Sequence, residues 1–342
     1  MLRPPTPVSR YDILDVVPVN IRGLDHLVPW SMPEKILVTG GAGFIGSWTV
    51  ELLVREGYRV VVLDNFSTGS LENLAHVIDR IKVVKGDIRN HVLLDEIIKH
   101  YEIDSIIHLA ALVSVEEATR NPGEAVRINV NGTHNVLETA RKHDLERIVY
   151  ASSAAVYGDP KYLPIDEDHP LNPKNIYGAT KLGGEALVNA YHDNYGLSTI
   201  SLRYFNVYGP RMKPGPYAGV IIKFIQRIKE GKPPIIYGDG TQTRDFIYVE
   251  DVARANIAAL KTRATGPYNI GTGKETSINQ LARQIAELMG KPDLKPIHTK
   301  PRPGDIKHSV AKTEKTRKQL HWKPRVDLWK GIAETISTYL SS

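Results

Sequence analysis

The feature that most constrains the fold of this chain is a glycine-rich turn at residues 39–46, placed between a short apolar run and a helical stretch. Gly40, Gly43 and Gly46 recur at every third position, directly after the apolar residues 36–38. Glycines allow a tight turn and let backbone amides approach a pyrophosphate, whose negative charge the amino end of the next helix favours. The turn therefore predicts a dinucleotide site at the end of a buried strand. The alternative is a glycine-rich turn that holds no ligand.

Apolar runs alternate with helical periodicity along residues 36–202. The predicted strands are 36–38, 59–63, 81–84, 105–109, 148–150 and 199–202, and the first predicted helix is 44–56. Short, continuous apolar runs are typical of parallel strands that are buried on both faces. We therefore predict an α/β fold with a doubly wound parallel sheet, covered by helices on both faces.

The pattern changes after about Asn206, where Pro- and Gly-rich loops separate the shorter periodic segments 220–229 and 278–289. This change predicts a smaller, C-terminal substrate-binding lobe. The predicted division is an N-terminal extension at 1–33, a cofactor domain at 34–208 and 241–276, and a substrate lobe at 209–240 and 277–342. The extension contains six prolines and no sustained periodicity, so we expect it to lie outside the main core.

Composition excludes several classes of protein. No apolar run reaches the ~20 residues that cross a bilayer, and prolines stand where a signal peptide needs an apolar core, so we expect no membrane partner and a cytoplasmic location. The chain has no cysteine, and its twelve histidines show no metal-binding spacing, so we expect no metal. The net charge of +6 is spread among acidic residues, which argues against nucleic acid and suits a small anionic substrate.

Acidic and small residues follow the predicted strands. Asp64 ends the second strand, 24 residues after Gly40, where its carboxylate can accept from a ribose hydroxyl and repel a 2′-phosphate. The sequence therefore predicts NAD rather than NADP. Asp87 follows the third strand and Ala110 the fourth, at the edge where such sheets bind ligands. Asp87 has the equal alternative of capping a helix.

Tyr177 and Lys181 are spaced i and i+4, which places both side chains on one face of a helix. Ser152 and Ser153 follow the predicted strand 148–150, beside the expected position of the nicotinamide. A free tyrosine has a pKa near ~10, and a neighbouring ammonium and a positive cofactor would favour its phenolate. The alternative is an ordinary amphipathic surface pair.

Together these motifs resemble those of the extended short-chain dehydrogenases/reductases, and specifically the nucleotide-sugar 4-epimerases. The resemblance covers residues 35 to about 340. The matching strings are 39–46, 64–65, 86–88, 108–111, 152–158, 177–181, 203–206, 238–240, 244–246 and 302–305.

The resemblance implies a Rossmann sheet, an NAD cofactor, a UDP-sugar substrate, and a set of binding residues for each. The implied NAD residues are Gly40, Gly43, Phe44, Ile45, Gly46, Asp64, Asn65, Ser67, Thr68, Gly69, Asp87, Ile88, Leu109, Ala110, Ala111, Tyr177, Lys181 and Phe205. The implied substrate residues are Ser153, Tyr177, Asn206, Val220, Tyr237, Arg244, Arg302, Asp305 and Ser309.

The resemblance also implies a mechanism with Tyr177, Lys181 and Ser153 as catalytic residues. Tyr177 would take the proton of the sugar 4-hydroxyl while hydride passes to the nicotinamide, which gives a 4-keto sugar. Ser153 would hydrogen-bond that oxygen, and Lys181 would hold the nicotinamide ribose. The keto sugar would then turn over in the cleft and regain the hydride on its other face, so NAD should be retained tightly.

Asn206, Arg244 and Arg302 resemble residues that bind the substrate diphosphate. Guanidinium groups pair with phosphate oxygens through two hydrogen bonds, so two arginines would offset the charge of a diphosphate. For each arginine taken alone, a surface ion pair is an equal alternative.

The reaction is narrowed by Ala154 and Ala155. Related dehydratases and UDP-glucuronate decarboxylases carry acidic residues there, and a methyl group cannot move the protons that loss of water requires. Where strict glucose/galactose epimerases have a tyrosine, this chain has Ser309, so we expect UDP-N-acetylglucosamine to be accepted as well as UDP-glucose.

Other interpretations stay open at this point: a UDP-glucuronate 4-epimerase or dehydratase, a reductase of small carbonyl compounds, and a non-catalytic NAD sensor. The resemblance further implies a homodimer formed through a four-helix bundle, with helices at about 124–143 and 177–195 from each subunit.

Overall fold

The computed structural model describes residues 34–213, 215, 218–301 and 306–341. The predicted extension 1–33 lies outside the described residues, as do Arg302 and Asp305.

The strands are β1 (Lys35–Thr39), β2 (Arg59–Asp64), β3 (Ile81–Lys85), β4 (Ser105–His108), β5 (Arg147–Ser153), β6 (Thr199–Tyr204), β7 (Asn206–Tyr208), β8 (Ile235–Tyr237), β9 (Thr243–Arg244), β10 (Phe246–Tyr248), β11 (Gly266–Ile270), β12 (Thr276–Ser277) and β13 (Ile297–Thr299). The α-helices are α1 (Phe44–Arg55), α2 (His91–Tyr101), α3 (Val115–Arg120), α4 (Pro122–Val126), α5 (Thr133–Lys142), α6 (Ile176–Tyr195), α7 (Val220–Lys229), α8 (Val249–Leu260), α9 (Ile278–Leu288), α10 (Glu314–Gln319) and α11 (Leu328–Ser341).

Seven strands form the main sheet, in the order β11-β6-β5-β4-β1-β2-β3, and every pair of neighbours is parallel. The direction of winding reverses between β1 and β4, which places the ligand crevice of such a sheet beside the end of β1. The predicted strands are therefore confirmed, although β5 is longer than predicted and includes Ser152 and Ser153.

The two faces of the sheet bury different residues of the same strand. Ile36 and Val38 point into the core shared with α1 and α8, whereas Leu37 points into the core shared with α2 and α5. Since alternate side chains point to opposite faces, a strand without polar residues must be covered on both sides. The prediction of a doubly wound α/β sheet is confirmed.

The remaining strands pair as β7 with β10, β8 with β13, and β9 with β12. Around them α7, α9 and α11 enclose a separate apolar cluster that contains Ile222, Ile285 and Ile332. Leu320 and Trp322, which the predicted division assigns to the substrate lobe, pack instead with the core of the main sheet. The exact division into two domains stays a prediction.

The helix predicted at 124–143 is a continuous helical stretch of α4, a π-helical segment at Arg127–Gly132, and α5. Within the described ranges, no helix combines the length and the apolarity that a bilayer crossing requires.

Candidate active site

The glycine turn follows β1 and leads directly into α1. Gly40 has φ of 70°, and a Cβ there would lie 2.8 Å from the backbone nitrogen of Ala110. A Cβ at Gly46 would lie 2.1 Å from the carbonyl oxygen of Gly40, so this position requires glycine for packing. Gly43 precedes α1, and no side chain caps the helix. These features suit the close approach of a pyrophosphate to the amino end of α1.

Asp64 at the end of β2 lies beside this turn, as predicted from the spacing. Its carboxylate accepts hydrogen bonds from the backbone nitrogens of Ala42, at 2.9 Å, and Phe66, at 2.8 Å. Burial raises the pKa of Asp64 above its usual value, and the two backbone hydrogen bonds oppose this rise only in part. A Cβ on Gly69 would lie 2.9 Å from the Asp64 Oδ1 atom, so the loop at 65–69 closes over the carboxylate.

The Asp87 carboxylate binds neighbouring side chains rather than a helix. Asn65 Nδ2 donates to it at 2.9 Å, and Arg89 donates from its backbone and its guanidinium. Burial alone would raise the pKa of Asp87, but the hydrogen bonds from Arg89 and Asn65 lower it to about 2. The cap of α2 is Asn90, whose side chain accepts from the Leu93 nitrogen. The capping alternative for Asp87 is therefore wrong.

Other predicted cofactor residues occupy the same edge of the sheet. Ser67 and Thr68 are exposed in the loop after β2, Ile88 is buried after β3, and Leu109, Ala110 and Ala111 are partly buried after β4. Phe44 and Ile45 form the first turn of α1, and Phe205 is buried after β6. The carboxyl ends of parallel strands thus bring residues that are distant in sequence to one crevice.

A buried histidine, for which the sequence predicted no role, fixes the end of β4. His108 Nδ1 lies 2.7 Å from the Thr39 hydroxyl, and Nε2 lies 3.1 Å from the Thr133 hydroxyl. The Thr133 hydroxyl donates to the Asn129 carbonyl, so it accepts a hydrogen bond from Nε2–H. Burial, together with the charge of Lys181, lowers the pKa of His108 to about 3, so the ring is neutral at physiological pH.

The three predicted catalytic residues come together at the ends of β5 and α6. Ser153 ends β5, and its side chain is near enough to Tyr177, in the first turn of α6, to lower the pKa of the phenol. Asn175 caps this helix through the nitrogen of Gly178 at 2.8 Å, which sets the position of Tyr177. Lys181 is buried, with Nζ 4.5 Å from the centre of the Tyr150 ring.

The titration of these groups corrects one expectation. Burial raises the pKa of Tyr177 above its usual value, and the nearby Ser153 hydroxyl opposes this rise only in part. Burial also lowers the pKa of Lys181 to about 7, while the nearby Glu185 raises it. The sequence predicted that Lys181 would lower the pKa of Tyr177, but in the protein chain itself the cost of burying a charge is larger. In the chain itself, burial therefore favours the neutral form of both side chains.

Sequence reasoning missed the ion pair behind this site. Glu185 and Arg203 are both buried, and Glu185 also accepts from the Ser152 hydroxyl at 2.5 Å. The available signal was the spacing of Glu185, which lies eight residues after Tyr177 and therefore on the same helix face.

Asn206 and Arg244 are joined through a buried aspartate, Asp245, to which the sequence assigned no role. The Asn206 nitrogen donates to the Asp245 carbonyl at 3.0 Å, and Arg244 precedes Asp245 at the end of β9. The Asp245 carboxylate is fully buried and accepts from Thr272, Gly273 and Ala311.

Three other predicted substrate residues lie in the segments assigned to the substrate lobe. Val220 begins α7, Tyr237 ends β8 and is 40% exposed, and Ser309 is buried in the segment before Ala311. Arg302 and Asp305 lie outside the described residues, so the structure brings together Asn206 and Arg244 but does not test the second arginine.

The chain matches one family model and is similar in sequence to named proteins. The family model described as GDP-mannose 4,6 dehydratase matches residues 37–335. A Methanocaldococcus jannaschii protein with the provisional name UDP-glucose 4-epimerase is 45% identical, over 88% of this chain and 97% of its own length.

Two solved structures are similar along almost their whole length. The UDP-N-acetylglucosamine 4-epimerase from Methanobrevibacter ruminantium, in complex with UDP-N-acetylmuramic acid, has a TM-score of 0.86 and 36% identity, and covers 90% of this chain and 99% of its own. The UDP-glucose 4-epimerase from Thermus thermophilus, in complex with NAD, has a TM-score of 0.84 and 36% identity, with the same coverage.

Proposed function

We propose, from the premise that this chain belongs to the GDP-mannose 4,6-dehydratase family of extended short-chain dehydrogenases/reductases, that it epimerises carbon 4 of a UDP-hexose with bound NAD. The observation that carries the proposal is the position of Tyr177 and the buried Lys181, one turn apart on α6, beside Ser153 at the carboxyl end of β5. Similarity to 4-epimerases in sequence and structure supports it.

The crevice fits NAD. A Cβ at Gly40 would meet backbone at Ala110, Gly43 leaves the amino end of α1 uncapped, and Asp64 supplies a carboxylate for a ribose hydroxyl. When bound, NAD supplies reversible oxidation of the sugar alcohol.

Protons at the reacting oxygen are handled by the chain itself. The Tyr177 phenolate accepts the proton of the 4-hydroxyl, and the Ser153 hydroxyl hydrogen-bonds the same oxygen. The Lys181 ammonium would stabilise the phenolate and would hold a hydroxyl of the nicotinamide ribose. Return of the proton from Tyr177 completes the cycle without net oxidation.

Asn206 and Arg244 are proposed to bind the diphosphate, with Arg302 as the second arginine. Support comes from Asp245, because its four accepted hydrogen bonds fix the strand that presents Arg244. A guanidinium so positioned can bind phosphate oxygens through two hydrogen bonds.

Epimerisation is favoured over loss of water, although the family model is described as a dehydratase. Ala154 and Ala155 form the helical turn after Ser153, and their methyl groups can neither give nor accept the protons that dehydration moves.

We propose that UDP-N-acetylglucosamine is also a substrate. Ser309 is a small, buried residue in a segment held against β9 by Thr243, whose nitrogen donates to the Lys307 carbonyl and whose hydroxyl lies 3.0 Å from His308. A small side chain leaves room that a tyrosine would fill.

We also propose a homodimer through a four-helix bundle built from the stretch α4–α5 and from α6. Exposed apolar side chains on these helices support it, at Val126, Ile176 and Tyr195. Light scattering should give twice the mass of one chain, and a monomer at micromolar concentration would contradict the proposal.

The deciding experiment incubates the purified protein with UDP-glucose, UDP-N-acetylglucosamine and UDP-glucuronate, and separates the 4-epimers. We expect epimers of the first two and no net formation of reduced nicotinamide. Tyr177→Phe should lower the rate by at least about 10²-fold while the fold is retained. A 4-keto-6-deoxy product, or net consumption of cofactor, would refute epimerisation.

A further inference from the structure

Glu185 extends the catalytic face of α6 by one more turn. It lies four residues after Lys181 and eight after Tyr177, so the three side chains share one side of the helix. Glu185 is 1% exposed. Its carboxylate accepts from the Ser152 hydroxyl at 2.5 Å, and Ser152 directly precedes Ser153 on β5. The carboxylate therefore contacts the strand end that presents the catalytic serine.

The partner of Glu185 is Arg203 on β6, which is also buried. Its Nε lies 3.1 Å and its Nη2 lies 2.5 Å from the Glu185 Oε1 atom. Arg203 Nη1 also donates to the Tyr157 hydroxyl and to the Glu167 carbonyl, each at 2.9 Å. A buried ion pair contributes little more stability than apolar residues of the same size would. Its position behind the active site therefore calls for a role other than stability.

The groups that face Lys181 come from four elements. The Tyr150 ring lies against it from β5, and His108 on β4 is neutral. Tyr177 and Glu185 flank Lys181 on α6, and Arg203 on β6 lies behind Glu185. Glu185 is thus the negative charge that opposes the effect of burial on the pKa of Lys181.

We propose that Glu185 is a positioning residue of the reaction, whose carboxylate keeps the Lys181 ammonium charged and, through Ser152, holds the strand end that carries Ser153. The proposal rests on the proposed epimerase function, since it assigns a purpose to the charge on Lys181.

The sign of the effect follows from the two ways in which Tyr177 and Lys181 together can lose one proton. With one proton removed, the pair is either phenolate with ammonium, which is competent, or phenol with amine, which is not. A negative charge nearer to Lys181 than to Tyr177 favours the first arrangement. Glu185→Gln removes that charge and leaves the Arg203 cation unpaired, and both changes favour the second arrangement.

The experiment compares the holoenzyme of wild type, E185Q and the control Y157F. The control removes the hydrogen bonds of the Tyr157 hydroxyl with Arg203 and Asn269 but no charge. For E185Q we expect the acid limb of kcat to move by about 0.5–1 pH unit to lower pH, and the plateau of kcat to fall by about tenfold. For Y157F we expect a lower melting temperature and an unchanged pH profile.

A second measurement does not depend on turnover. The ultraviolet difference spectrum of tyrosinate is recorded on the NAD-bound holoenzyme, in which the positive nicotinamide favours the phenolate, with Tyr177→Phe in each background as the reference. It should show less phenolate at neutral pH in E185Q than in wild type. If E185Q does not fold, E185Q/R203M removes the whole ion pair and should shift both readouts in the same direction.

The proposal is overturned if E185Q keeps the wild-type plateau and the wild-type tyrosinate signal and loses only stability, as Y157F does. Failure of the wild-type protein to act on any UDP-sugar would instead overturn the proposed function, while the tyrosinate signal would still decide the role of Glu185.

Discussion

Replacing Gly46 by alanine tests how the glycine turn is held against α1. The added Cβ would lie 2.1 Å from the Gly40 carbonyl oxygen and 2.7 Å from the Gly41 Cα atom. Both are backbone atoms, which cannot rotate away as a side chain can. Overpacking of this kind costs about 1–3 kcal/mol.

The matched control is Gly123→Ala in α4, where the nearest atom to the new Cβ is the end of the Arg127 side chain at 3.6 Å. Alanine is favoured over glycine inside a helix by up to about 1 kcal/mol. Because both variants gain part of this preference, their difference isolates the steric term. We expect G46A to be less stable than G123A by about 1–3 kcal/mol in urea unfolding.

The same clash should also displace the Gly40 carbonyl and with it the turn that we assign to the pyrophosphate. We therefore expect G46A to lose most of the NAD that co-purifies with the wild type, measured after acid release, and G123A to keep it. The reasoning is refuted if G46A matches G123A both in unfolding free energy and in NAD content.

Two further predictions concern buried polar groups. Asp245→Asn places an amide N–H opposite backbone N–H groups that now donate to a carboxylate. The free energy of unfolding, measured in urea, should therefore fall by about 2–4 kcal/mol. A fall of less than about 1 kcal/mol would contradict this. Burial lowers the pKa of His108 to about 3, against ~6.5 in an unfolded chain. The contribution of the neutral His108 ring to the folding stability is thus fully present above pH ~6.5. It is lost as the pH falls toward 3, and the free energy of unfolding then changes by at most about 1.4 kcal/mol per pH unit. His108→Gln should flatten this dependence, and an unchanged slope would show that other groups cause it.

Local patterns were sufficient to predict the sheet. A parallel strand buried on both faces is an uninterrupted apolar run, and β1 and β2 each match such a run within two residues. The sequence could not predict that β5 continues through Ser153, because Ser152 and Ser153 are polar and their pairing partner, β6, lies some 50 residues further along the chain. Helix α7 was predicted with its observed bounds, since its apolar residues keep a helical period throughout.

Asp87 illustrates where local rules end. Its position before a helix is compatible with a cap, and only the structure shows Asn90 in that role and Asp87 bonded to Arg89 and Asn65. The choice depends on the path of the loop after β2, which brings Asn65 across to the next strand.

The amino-acid sequence by itself determined the type of sheet, the turn suited to a dinucleotide, and the face of α6 that carries Tyr177 and Lys181, because each depends on residues only a few positions apart. Tertiary structure alone decided the partners of buried charges. Arg203 meets Glu185, and the Asp245 carboxylate meets Thr272, Gly273 and Ala311, only after strands and loops distant in sequence have packed. Burial has the same origin: it raises the pKa of Tyr177 and lowers that of Lys181, and no spacing of residues along the chain records how much water the fold excludes.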